Sequence, residues 1–208
     1  MALRDHSLDE KIITAAREEF LEKGFSGASL RKIAEKAGVT VGAIQTRYKS
    51  KNELFAGLLE PLLAEIDVLF QNTRADYRAS TDADFLPGLK TSMQHESEAI
   101  LHLIFTHYDE ALLLLCRSAG SRFEHCFDEI VQRKIQESVA FFENSGFIGI
   151  DEKLLGLLIA AQFDSYRRIV TECHDRKAAE KYMESLMTYH FGGWSAFFAS
   201  VNQSREDQ

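Results

Sequence analysis

The sequence predicts an all-α fold: an N-terminal three-helix head followed by a larger C-terminal helical bundle. Three observations carry this expectation. Apolar residues recur at helical spacing along most of the chain. Only two prolines, Pro61 and Pro87, interrupt 208 residues, and Val, Ile and Thr are scattered rather than alternating. With 45% hydrophobic and 27% charged residues, the composition is that of an ordinary globular protein with enough length for a substantial core.

The first helix opens at a Ser7–Glu10 capping box and runs to about Lys23. Leu8, Ile12, Ile13, Ala16, Phe20 and Leu21 lie on one face, and Gly24 stops it. Phe25 and Ala28 are expected to plug the small core against the next two helices.

The stretch from Ser29 to Lys51 is the most informative. Ser29 is a good N-cap, and Leu30, Ile33, Ala34 and Ala37 repeat at helical spacing. Gly38 supplies a left-handed helix end. Thr40 caps a second short helix in which Val41, Ile44 and Tyr48 are expected to form a buried stripe. Two short helices joined by a three-residue turn containing glycine form the pattern of a helix-turn-helix, here at about 29–48. Its second helix would enter the DNA major groove. The groove face would be Thr40, Ala43, Gln45, Thr46 and Arg47, with Lys49 and Lys51 just beyond.

Ser50 and Glu53 make a capping box for a long helix starting at Lys51. Its stripe runs Leu54, Phe55, Leu58, Leu59, Leu62, Leu63, Ile66, Leu69, Phe70, and Pro61 inside it is expected to kink it. Such a helix belongs to both head and body and is a candidate lever. A loop is expected at 79–84, then a helix capped by Asp84 with Pro87 in its first turn. Thr106 and Asp109 are expected to cap a short apolar helix broken at Gly120, and Ser121 and Glu124 to start the next, which ends in a loop at 144–149. The segment Leu154 to Phe163 is apolar on nearly every side, and the final helix, about Arg176 to Val201, carries Met183, Leu186, Met187, Phe191, Trp194, Phe197 and Phe198. Two such helices predict a subunit interface, and Gly192 and Gly193 suit a close helix crossing.

The net charge of −8 divides unevenly. Residues 1–55 hold ten basic and eight acidic side chains, +2, and the remainder carries −10. A mildly basic head on an acidic body suits nucleic-acid contact by the head alone. Cys116, Cys126 and Cys173, odd in number and on predicted helices, read as buried free thiols in a reducing cytoplasm. With no secretory pattern in MALRDHSLDEK and no apolar run of about 20 residues, a cytoplasmic protein with no membrane partner is expected. His102, His107, His125 and Cys126 lack metal-site spacing, so neither metal nor cofactor is expected. There is no glycine-rich phosphate loop, nucleophile elbow or ordered Ser-His-Asp set, and no enzyme is predicted. A helical interaction or metal-binding protein whose head does not bind DNA is the alternative reading.

From about Leu8 to Leu63 the sequence resembles the TetR family of bacterial transcriptional regulators. The resemblance rests on Phe20 with Gly24-Phe25, Leu30, Ile33-Ala34, Ala37-Gly38-Val39, Thr40, Gly42, Ile44, Tyr48, and Lys51 with Leu54-Phe55. It implies a homodimeric repressor that reads a near-palindromic duplex operator and is released by a small-molecule effector bound in the body. The division implied is 1–51 for DNA binding and 52–208 for effector binding and dimerisation through the last two helices. The expected DNA-binding set is Ser29, Arg31, Thr40, Val41, Gly42, Ala43, Gln45, Thr46, Arg47, Lys49 and Lys51. By resemblance Thr40 and Lys51 hold phosphate, Val41, Gly42 and Ala43 face the groove, and Arg47 meets the backbone where the family often has His. Gln45 departs from the family's usual Tyr, and a Gln there suits bidentate bonding to adenine. Phe105, Tyr108, Gln162, Phe163, Tyr166 and Arg167 lie on helices that line the family's effector pocket. Cationic drugs, acyl chains and quinone-like compounds all remain open as effectors.

Overall fold

The structure, a computed structural model, describes residues 6–78, 85–145 and 150–206. Among the described residues the chain forms helices and no strand. In order they are α1 (His6–Gly27), α2 (Leu30–Ala37), α3 (Val41–Arg47), α4 (Lys51–Arg78), α5 (Phe85–Thr106), α6 (Tyr108–Cys116), α7 (Cys126–Asn144), α8 (Glu152–Glu172) and α9 (Arg176–Glu206). None of these helices alone is long and apolar enough to cross a membrane. The expected loop at 79–84, the Asp84 cap, and residues 146–149 of the other expected loop lie outside the described residues.

The chain packs as two compact units: residues 1–64 with 107–127, and residues 65–106 with 128–208. In the first unit Ile12, Phe20, Ile33, Ile44, Leu54 and Phe55 are fully buried. The rings of Phe20, Phe25 and Phe55 meet at centroid distances of 4.9–6.0 Å. Gly24, at φ 69°, breaks α1 where the sequence places the stop, and a last turn continues beyond it to Gly27. Residues 107–127 join this unit through polar contacts. Arg17 pairs with Glu110 at 2.8 Å, the Phe25 N–H donates to the Arg117 carbonyl at 2.8 Å, and the Ser26 hydroxyl donates to the Ala119 carbonyl at 2.6 Å. The packing boundary on α4 therefore falls after Ala64, and α6 belongs to the first unit.

In the second unit α9 packs on α5 and α8. Phe85, Phe142 and Phe198 form its aromatic centre, with Trp194 6.0 Å from Phe142. α4 continues through Pro61, whose ring is exposed, as one helix of 28 residues.

Several expected helix ends differ. α1 already begins at His6, so Ser7 lies within its first turn. Thr106 closes α5, and His107 stands at the α6 N-cap without a side-chain cap bond. Ser121 and Glu124 organise a turn rather than a helix start: the Ser121 hydroxyl accepts from the Phe123 N–H and the Glu124 carboxylate accepts from the Gly120 N–H. Helix α7 begins only at Cys126. The Ser50 half of the α4 capping box forms, with the hydroxyl accepting from the Glu53 N–H at 3.1 Å, but the Glu53 carboxylate turns to Arg122 at 3.0 Å. In α3 only Ile44 is buried, and Tyr48 is its C-cap. The apolar segment of α8 is not buried all round: Leu155, Ile159 and Phe163 face the core, while Leu154 and Leu157 are 43% and 62% exposed.

Candidate nucleic-acid interface and effector cavity

The helix-turn-helix is built from local chemistry. The Ser29 hydroxyl accepts from the Arg31 N–H, starting α2. Gly38 closes it in the left-handed region at φ 68°, its N–H directed at the Ala34 and Glu35 carbonyls. The Thr40 hydroxyl then accepts from the Ala43 N–H at 3.1 Å and starts α3. A hydroxyl that accepts as a cap keeps its own hydrogen to donate. Lys36 ties α2 to the buried Glu19 carboxylate of α1 at 3.0 Å.

Most of the expected DNA-binding residues share one exposed stretch. Ser29, Arg31, Thr40, Gly42, Gln45, Thr46 and Lys49 are exposed, and Val41 and Ala43 are half-buried. The Thr46 hydroxyl bonds back to the Gly42 carbonyl at 2.8 Å. Two of the cations are held within the protein. Arg47 pairs with Asp9 at 2.5 Å, its side chain only 17% exposed, which pins α3 to the start of α1. Lys51 Nζ donates to the carbonyls of Phe25 at 2.7 Å and Ala28 at 3.1 Å, and lies over the Phe25 ring.

Gly42 has no conformational reason to be glycine. It lies inside α3, and a Cβ added there meets only the Thr40 hydroxyl oxygen at 3.8 Å, an ordinary contact. Gly57 is different, since a Cβ would press the Tyr48 ring at 3.3 Å. That glycine lets α4 lie against the end of α3.

The second unit carries a partly open cavity of about 550 Å³. Its walls come from α4 (Thr73), α5 (Leu89, Met93, Glu96), α7 (Arg133, Lys134, Phe141 and Phe142 among others), α8 (Ile159, Gln162, Phe163) and α9 (Trp194). Of the expected effector residues, Gln162 and Phe163 line it, whereas Phe105, Tyr108, Tyr166 and Arg167 are not among its lining residues. Tyr166 stands behind Gln162. Gln162 Nε2 donates to the Tyr166 hydroxyl at 2.6 Å, the Tyr166 hydroxyl donates to the Met187 sulfur at 3.3 Å, and Trp194 Nε1 donates to Gln162 Oε1 at 2.9 Å. Burial, reinforced by the Glu96 charge, raises the Tyr166 phenol above its ordinary range, so it stays a protonated donor. Arg167 pairs with Asp164 at 2.5 Å, and Tyr108 belongs to the first unit.

The buried Glu96–Lys134 ion pair went unpredicted. The signal was present: Glu96 interrupts the apolar face of Leu89, Met93 and Leu103 in α5, and Lys134 sits beside Val131 and Ile135 in α7. Ionised side chains are rarely buried unless paired, so two lone charges of opposite sign on apolar faces predict each other.

Comparison with known proteins gives consistent results. Residues 12–58 match the family described as "Bacterial regulatory proteins, tetR family". The HTH-type transcriptional regulator AcrR of Shigella flexneri is 33% identical over 90 residues, which is 43% of this chain and 40% of that protein. The chain thus spans about two-fifths of the length of that curated relative. The crystal structure of a TetR-like transcriptional regulator from Rhodococcus shares the fold with a TM-score of 0.61 at 19% identity, over 92% of this chain and 100% of that one. The Bacillus subtilis transcriptional regulator FadR in complex with stearoyl-CoA is similar with a TM-score of 0.56 at 19% identity, over 86% and 97%.

Proposed function

We propose that this chain is a member of the tetR family of bacterial regulatory proteins, supported by the match over residues 12–58, and that it is a transcriptional regulator that reads duplex DNA with α3. In this reading it binds a palindromic operator as a homodimer, represses, and is released when a small molecule occupies the cavity of the second unit. Residues 1–51 are the DNA-binding part and 52–208 the effector and dimerisation part.

The observation that carries the reading is the exposed face of α3. Gly42, Gln45 and Thr46 are all exposed, with capped hydroxyls at Ser29 and Thr40 on the same stretch. Ser29, Arg31, Thr40 and Lys49 are assigned to phosphate, and Val41, Gly42, Ala43, Gln45 and Thr46 to the groove. Arg47 and Lys51 stay in the site, with their engaged side chains setting how α3 and the start of α4 are presented. The dimer reading is supported by an uncharged exposed stripe on α9, with Tyr182 55% and Tyr189 75% exposed, followed by exposed Gly192 and Gly193. Leu154 and Leu157 of α8 add apolar surface. A cavity of about 550 Å³ lies within the range of small-molecule sites. FadR with its stearoyl-CoA supplies a structural relative that holds a small molecule. α4, which runs from one compact unit into the other, is assigned the role of lever.

The test is in-vitro selection of random duplex DNA by the purified protein. A palindromic consensus bound by two chains is expected. Enrichment of no sequence at low salt by ligand-stripped protein overturns the proposal.

A further inference from the structure

We infer that the cavity of the second unit takes an uncharged molecule with a bulky apolar body and one hydrogen-bond-accepting group, and rejects carboxylates and ammonium ions of the same shape. This rests on the reading of that unit as effector-binding. Among the described residues that line the cavity, four are charged: Glu96, Arg133, Lys134 and Glu137. They pair with one another, Glu96 with Lys134 and Arg133 with Glu137 at 3.5 Å, and Arg133 also holds Asp67 at 2.6 Å. The lining is therefore balanced in charge. An ionic guest would bring an uncompensated charge into a site where Lys134 and Glu96 are buried, or would have to break one of these pairs.

The rest of the wall mixes apolar and aromatic side chains, including Leu89, Met93, Phe142, Ile159, Phe163 and Trp194, with the uncharged polar Thr73, Gln136, Ser138, Asn144 and Ser145, of which Gln136 and Asn144 are exposed. Of its buried uncharged polar side chains, Thr73 gives its hydroxyl hydrogen to the Phe70 carbonyl, and Gln162 is fixed in orientation from both ends by Trp194 and Tyr166. The amide nitrogen carries two hydrogens and gives one to Tyr166. The second is the donor that a carbonyl or ether oxygen of the guest would meet.

Trp194 is the single tryptophan of the chain, so its fluorescence reports occupancy directly and without DNA. The full-length protein is titrated with three probes sharing one ring: cyclododecanone, cyclododecanecarboxylate and cyclododecylammonium. The ketone is expected to bind at least about tenfold more tightly than either ion, the discrimination that one buried unpaired charge readily produces. Glu96→Gln, which removes one negative charge from beside Lys134 and leaves the lining net positive, is expected to reverse the order in favour of the carboxylate. Because that variant can lose stability, the double variant Glu96→Leu/Lys134→Met is measured beside it and is expected to keep the preference for the ketone. Equal or tighter binding of either ion by the unaltered protein overturns the inference, and so does the absence of any Trp194 response to the ketone. Operator release is scored separately, so a protein that binds the ketone but no DNA contradicts the regulator reading and leaves this one standing.

Discussion

The Lys51 ammonium donates to the Phe25 carbonyl oxygen at 2.7 Å and lies 4.5 Å from the centre of the same residue's ring. One side chain at the first turn of α4 thereby holds the end of α1, just beyond the break at Gly24. A basic residue at the edge of a helix-turn-helix invites a phosphate role. Here its charge is already directed at backbone carbonyls.

Lys51→Met is accordingly expected to lower stability by about 1.5–3 kcal/mol, the range for hydrogen bonds to charged groups. The salt dependence of DNA affinity should change little, because no phosphate contact is lost. Denaturant unfolding and a salt titration check the two halves. An unchanged unfolding midpoint with a shallower salt slope would assign Lys51 to phosphate instead.

Gly42→Ala separates folding from binding. A helical glycine that has room for a methyl group costs roughly 0.5–1 kcal/mol relative to alanine. The substitution should raise the thermal midpoint while weakening DNA binding, since the added methyl group occupies the surface assigned to the groove. Tighter or unchanged DNA binding by Gly42→Ala would remove Gly42 from the interface.

Gly120→Ala is expected to be destabilising by about 1–3 kcal/mol, because it combines a left-handed backbone with a clash. Its φ is 82°, and the new Cβ would stand 2.3 Å from the Ser26 hydroxyl oxygen. Adding Ser26→Gly should restore part of the loss, the clash but not the backbone strain. A double-mutant cycle with no coupling would show that the two segments do not meet as described.

On α9, Gly192 and Gly193 are exposed, and a Cβ at either meets nothing within 4 Å. Gly193→Ala should therefore stabilise the single chain by up to about 1 kcal/mol. If the α9 stripe is the subunit interface, the same change should weaken self-association measured by sedimentation. Unchanged or stronger association would place the interface elsewhere.

What the sequence revealed and what it hid follow the range of the interactions. Ser29, Gly38 and Thr40 act within three or four residues of themselves, so α2, the turn and α3 were legible from the chain alone. Glu110 acts on Arg17 across 93 positions, and no local pattern announces that α6 packs with the first unit. Ser121 and Glu124 have the chemistry of a helix start but serve a turn, because their acceptors are taken by Phe123 and Gly120. Arg47 and Lys51 look like free cations in the sequence, and only the fold reveals Asp9 and the Phe25 carbonyl beside them. Of the six residues expected at an effector site, Gln162 and Phe163 line the cavity and Phe105, Tyr108, Tyr166 and Arg167 do not, while the Glu96–Lys134 pair shows only when two helices are seen together.

The most direct test is the salt dependence of affinity for the duplex recovered by selection, measured beside a scrambled duplex of the same length. The account predicts log Kd rising linearly with log salt for both, at roughly 0.9 per phosphate neutralised, with the selected duplex bound at least about 10³-fold more tightly at physiological salt. Equal affinity for the two duplexes, or affinity insensitive to salt, would contradict the claim that α3 reads DNA.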